Sequence, residues 1–111
     1  MPYLPRAIDS ALAGLSDDDE LIVVENGSTD GTSEWLETVD DRVRVLRANQ
    51  PRGAAENWTA ACEASSGEWV KLLCADDLVL HGGLERQLAA AESHPGVVLV
   101  GSRRRVIDET C

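Results

Sequence analysis

At 111 residues and 43% hydrophobic content, the chain can build one compact core and is too apolar to be a disordered polypeptide. Its formal net charge of −10 argues against a nucleic-acid partner or an anionic membrane surface, since both need a basic face. The one basic run, Arg103-Arg104-Arg105, reads as a solvated surface segment.

Taken in chain order, Leu4, Ile8, Leu12 and Leu15 recur at helical spacing, with Pro2 and Pro5 near the start. Leu21-Ile22-Val23-Val24 is a short apolar strand of the kind covered on both faces of a sheet. Asp30 is a candidate helix N-cap, and Trp35, Leu36 and Val39 give the next helix its buried stripe. Val43 and Val45 alternate with Arg42 and Arg44, which predicts a strand with one face nearer solvent. Pro51 opens a third helix, with Ala54, Trp58, Ala61 and Cys62 on one side, and Gly67 ends it. Trp69 to Leu73 is a third strand, Leu84, Leu88 and Ala91 mark a fourth helix, and Val97 to Val100 is a last strand.

Helix–strand alternation with short connections implies an α/β fold, a single domain over residues 1–111 with a mostly parallel, Rossmann-like sheet and flanking helices. No apolar run approaches the roughly 20 residues of a membrane span, and the N-terminus lacks a signal-peptide pattern. The odd cysteine count (Cys62, Cys74, Cys111) contains no Cys-x-x-Cys pair, so disulfides are not expected and the cytoplasm is the default compartment. His81 and His94 stand far apart and read as surface or capping residues.

In a parallel sheet the loops after the strands gather at one edge, where ligands bind. Three polar loops fall there: Glu25 to Thr32, Asn49 to Gly53, and Cys74-Ala75-Asp76-Asp77. Asn26-Gly27 and Asp30-Gly31 also serve as plain turn dipeptides, and Pro51 and Gly53 as helix-entry punctuation. Asp76-Asp77 is harder to assign to turn chemistry, because two adjacent carboxylates repel each other. A hard divalent cation relieves that repulsion. An acidic protein holding a diphosphate also needs such a bridge, because its own field repels the ligand.

At these residues the sequence resembles glycosyltransferase family 2, which has the GT-A fold. The likeness runs through Tyr3 to Leu12, through Leu21 to Thr32 (LIVVENGSTDGT), through Gly53 to Asn57, and through Gly67 to Leu78. By that resemblance Asp77 coordinates Mn²⁺ or Mg²⁺ on the diphosphate of a nucleoside-diphosphate sugar. The implied nucleotide-sugar-binding set is Glu25, Asn26, Ser28 and Asp76, with Glu25 and Asn26 near base and ribose and Asp76 on the ribose or sugar. The sequence departs from the family where Asn26 replaces a frequent second acid, and again at Cys74, where many members have an acid. The resemblance further implies a partial GT-A fold lacking its first strand, which would sit between the strands at Leu21–Val24 and Trp69–Leu73. The open edges that follow from this imply self-association. It implies, too, that the acceptor site and catalytic base lie outside these residues, so no base is assigned and the chain is expected to be inactive alone. A non-catalytic interaction module is the alternative. A receiver-like phosphoacceptor domain is disfavoured, since it needs a lysine after a late strand and the chain has Arg103 there.

Overall fold

The computed structural model describes residues 2–110. Its centre is a parallel pair of strands, β1 (Leu21–Glu25) and β2 (Val43–Arg47), in the register Leu21↔Val43 through Glu25↔Arg47. One further bond, Ala48 N–H to Glu25 O at 2.9 Å, extends the pairing past the strand ends. In β2 the predicted alternation holds: Val43 is buried, whereas Arg44 and Arg47 face solvent.

Among the described residues there are four helices beside this pair: α1 (Leu4–Leu12), α2 (Thr32–Trp35), α3 (Ala54–Ala64) and α4 (Gly83–Glu92). Pro5 lies in the first turn of α1, where its missing N–H costs nothing. The core joins Ile8 of α1 to Leu36 and Val43, with Leu4, Leu12, Leu21, Val23, Trp35, Val39 and Val45 packed around them. α3 packs against β1 but buries none of its own residues, and Trp58 stays 52% exposed. Beyond α3, Leu84 of α4 reaches Gly14, where an added Cβ would meet Leu84 Cδ1 at 3.1 Å. Among the described residues no helix is long and apolar enough to cross a membrane.

The α/β class therefore holds, as a small two-stranded parallel sheet with flanking helices, consistent with a partial GT-A fold. Several boundaries differ from expectation. α1 stops at Leu12 rather than Leu15, and the final residues close by tight turns from Gly14 N–H to Ala11 O and Leu15 N–H to Leu12 O. α2 is a single turn, after which Thr38 bonds back to Trp35 O through both its N–H (2.9 Å) and its hydroxyl (2.8 Å). That hydroxyl competes with helix continuation toward Val39. α3 begins at Ala54 rather than Pro51, with Gly53 as N-cap donating its N–H to the Glu56 carboxylate at 3.2 Å. It ends at Ala64, before Gly67, where Ser65 Oγ bonds Cys62 O at 2.6 Å.

The two later strands do not form. Trp69 to Leu73 and Val97 to Val100 lie outside any ladder among the described residues, so the expected mostly parallel sheet is reduced to β1 and β2. The chain on either side of the first segment is held near the ends of β1. Ser66 donates its N–H to Glu20 just before β1, and Asp76 lies beside Ser28 just after it. It joins no ladder, because β-propensity yields a strand only where a partner edge lies at bonding distance. Without one, Trp69, Val70 and Leu72 remain exposed.

Candidate functional site

The loop after β1 is built on a buried carboxylate. Glu25 is 6% exposed and accepts the Ser28 N–H at 2.5 Å. That bond first, and then the Ser28 hydroxyl, the Gly27 N–H and the Arg47 guanidinium, hold the Glu25 carboxyl below its ordinary range against the opposing effect of burial. Glu25 thus folds back under its own loop. Asp30 accepts from both the N–H (3.2 Å) and the hydroxyl (2.6 Å) of Thr32, but the N-cap of α2 is Gly31, at φ +87, so Asp30 stands one residue ahead of the expected cap position.

Asn26 fastens this loop to the next one. Its Nδ2 donates to Arg52 O and its Oδ1 accepts the Arg52 N–H, both at 2.9 Å, so one side-chain amide imitates a strand pair. Gly27 sits at φ +81, and a Cβ there would meet Pro51 Cγ at 3.3 Å. Glycine alone tolerates both demands easily. Arg47 steadies the other side, with its guanidinium donating to the Ser33 hydroxyl and to Ser33 O at 3.0 Å.

The third loop closes as a tight turn, Asp77 N–H to Cys74 O at 3.1 Å. Donor atoms of Cys74, Asp76 and Asp77 lie within 4.8 Å of one another, and all three residues are exposed. The chain beyond the turn is tied to α1 by Val79 N–H to Ser10 Oγ at 3.0 Å.

Two open grooves meet at Asp76. The larger, about 440 Å³, is lined by Tyr3, Arg6, Asp76, Leu78, Ile107, Asp108 and Glu109. The smaller, about 210 Å³, is lined by Tyr3, Leu4, Ser28, Thr32, Ala75 and Asp76. The structure therefore brings Ser28 and Asp76 together on one groove and sets Asp77 beside Asp76. Glu25 and Asn26 line neither groove, and they shape the loop that carries Ser28. Thr32 belongs to the polar loop expected after β1, whereas Tyr3 and Arg6 border the site without having been singled out by sequence. Only their residue types could have marked them, since their placement depends on α1 packing beside the 74–77 turn. Cys62 and Cys74 are free thiols, and Cys111 lies outside the described residues. His94 caps the end of α4 through Nδ1 and Ala90 O at 2.8 Å, and His81 is exposed.

Parallel strands with polar loops gathered at their carboxyl ends define an α/β unit of the partial GT-A class. Residues 1–110 match the family model for glycosyl transferase family 2, and the chain belongs to that family. It is 40% identical over 81 residues to an uncharacterized glycosyltransferase of Nostoc sp. (strain PCC 7120), covering 68% of this chain and 24% of that protein. It is 34% identical over 89 residues to the succinoglycan biosynthesis protein ExoO of Rhizobium meliloti, covering 79% and 26%. The same identity over 89 residues relates it to the putative teichuronic acid biosynthesis glycosyltransferase TuaG of Bacillus subtilis, covering 78% and 35%. The chain thus spans between 24% and 35% of the length of these relatives.

Proposed function

We propose that these residues bind the nucleoside-diphosphate sugar of a glycosyl transfer reaction and do not complete the transfer on their own. The observation that carries this reading is the position of Asp76. It borders a groove with Ser28 and shares a cluster of cation donors with Cys74 and Asp77. The donor set fits a divalent ion such as Mn²⁺ or Mg²⁺, because carboxylate oxygens are the ligands such ions prefer. The net charge of −10 disfavours a bare diphosphate, and a bound cation would offset that repulsion.

In this reading Asp77 and Asp76 hold the cation, and Asp76 also reaches the ribose or sugar. Ser28 offers its hydroxyl to the same groove. Glu25 and Asn26 position the loop toward base and ribose by the internal bonds described above. A bound cation supplies charge neutralisation for the departing diphosphate. The free thiols Cys62 and Cys74 suit a reducing cytoplasm.

Calorimetric titration with UDP, GDP and dTDP in the presence of Mn²⁺ tests this, and one of the three should bind. Absence of heat with all three, while circular dichroism reports an intact fold, would end the donor-site reading. The exposed Val70, Leu72, Val98 and Leu99 favour a second reading, an interaction module that pairs with another copy of the chain. Self-association should then appear by light scattering with no nucleotide response, whereas retained nucleotide binding rules the module out as the sole function.

A further inference from the structure

β1 is paired along one edge only. That edge meets β2, and among the described residues the other makes no backbone hydrogen bond. An open strand edge is a template for the addition of another strand. The chain also carries an apolar stretch without a ladder, Val97-Val98-Leu99-Val100, in which Val98 and Leu99 are exposed. In its own copy this stretch is tied to the region of α4 at both ends. Val97 N–H bonds His94 O at 3.1 Å, and Gln87 Nε2 donates to Ser102 Oγ at 3.1 Å.

The residues around these two stretches are complementary in charge. Asp17-Asp18-Asp19-Glu20 precedes the apolar run of β1, whereas Arg103-Arg104-Arg105 follows the run 97–100, and both charged runs are exposed. Laid antiparallel, Val100 faces Leu21 and Val97 faces Val24, so four apolar pairs form and the opposite charges arrive at one end. Val98 and Val100 then share the face on which Leu21 and Val23 join the core. A parallel alignment instead carries the arginines past Glu25 to the loop at Asp30, whose carboxylate already holds Thr32. Two chains of net charge −10 repel each other, so their association needs a local attraction of this kind.

We propose that residues 97–105 of one copy of this chain add antiparallel to the open edge of β1 in a second copy, with Arg103 and Arg104 seated against Asp17 and Asp18. Exchanged reciprocally, the two arms close a two-fold pair. The inference rests on the self-association reading above and is independent of nucleotide binding.

Sedimentation equilibrium of the reduced full-length chain tests it, and the unmodified chain should run as a dimer. The D17R/D18R variant should weaken that dimer by more than about tenfold, since each change counts twice in a two-fold pair. General charge repulsion predicts the reverse, because this variant brings the net charge closer to zero. R103D/R104D should weaken the dimer likewise, and the variant carrying all four changes should regain it. The four positions are exposed, so circular dichroism should report an intact fold in every variant. A monomeric unmodified chain overturns this inference and the self-association reading together. A dimer indifferent to D17R/D18R, or a four-change variant that stays monomeric, overturns this inference alone and moves the contact to another surface, such as Trp69–Leu73.

Discussion

Residues 4–64 and residues 66–110 carry similar apolar patterns but end in different states. In the first part, β1 and β2 satisfy each other's backbone groups, and the core of Ile8, Leu36 and Val43 closes over them. In the second, α4 is the only regular element, and Val98 and Leu99 are 89% and 82% exposed. Apolar composition is therefore not enough. A strand needs a partner edge before its side chains find a core to enter. The radius of gyration, 14.6 Å, exceeds the roughly 13 Å expected of a compact domain of this length. That excess fits the unpaired, exposed stretches within residues 66–110. The candidate ligand turn, 74–77, is held mainly by bonds to the first part, from Ser66 to Glu20 and from Val79 to Ser10.

The largest effect should come from testing that contrast directly. Leu36 is 3% exposed at the centre of the core, and Leu36→Ala should cost about 2–5 kcal/mol through lost transfer energy and a residual cavity. Leu99→Ala should stay within about 0.5 kcal/mol, as exposed positions do. Urea denaturation of both variants measures the difference. Equal destabilisation would mean that the second part packs in solution, either on the first or on another copy.

Next in size, Asp77→Asn should separate function from stability. The carboxylate is exposed in the turn, so the urea midpoint should hold within about 0.5 kcal/mol. Metal-dependent nucleotide affinity should drop by more than about tenfold, the lower end for a metal-site partner. A variant with unchanged affinity would place the cation elsewhere. Asn26→Ala should act the other way round, from within the well-packed part. It removes two exposed bonds to Arg52, each worth about 0.5–1.5 kcal/mol at most. The expected loss is about 1 kcal/mol, with nucleotide affinity falling as the first two loops separate. Thermal unfolding and the same titration check both parts of that expectation.

The same contrast explains what could be read from sequence. β1, β2 and α1 are legible because each carries its own periodicity and finds cover nearby, and α4 is legible from its spacing although Leu88 stays 42% exposed. The strand at Trp69–Leu73 has an equally clear pattern, but forming it depends on a neighbour that local residues do not reveal. The three polar loops were legible as a group from the rule that parallel strands present them at one edge. What each residue does there was less so. Glu25 reads as a ligand residue, and one oxygen of its carboxylate accepts the Ser28 N–H within its own loop. Nothing local distinguishes a carboxylate that turns inward from one that faces a groove. Tyr3 and Arg6 reach the site only because α1 lies beside the 74–77 turn, a long-range placement that spacing cannot encode.

The smallest expected effect concerns the two carboxylates that hold backbone at either end of β1. Ser66 N–H bonds draw the Glu20 carboxyl below its ordinary value of 4.5, and Ser28 N–H does the same for Glu25. A depressed carboxyl stabilises the fold above its unfolded value and loses that contribution as pH falls through its folded one. Stability should therefore decline below about pH 4.5. Glu20 is exposed, so solvent screens its clasp on the second part, whereas Glu25 is buried in the first. Glu25→Gln should flatten the acid limb of the urea-midpoint profile, and Glu20→Gln should flatten it less. Above pH 6 the Glu25 variant should be the less stable of the two. If Glu20→Gln proved the more damaging, the attachment of residues 66–110 would contribute more to stability than the β1 loop does, and the two parts would have to be regarded as one cooperative unit.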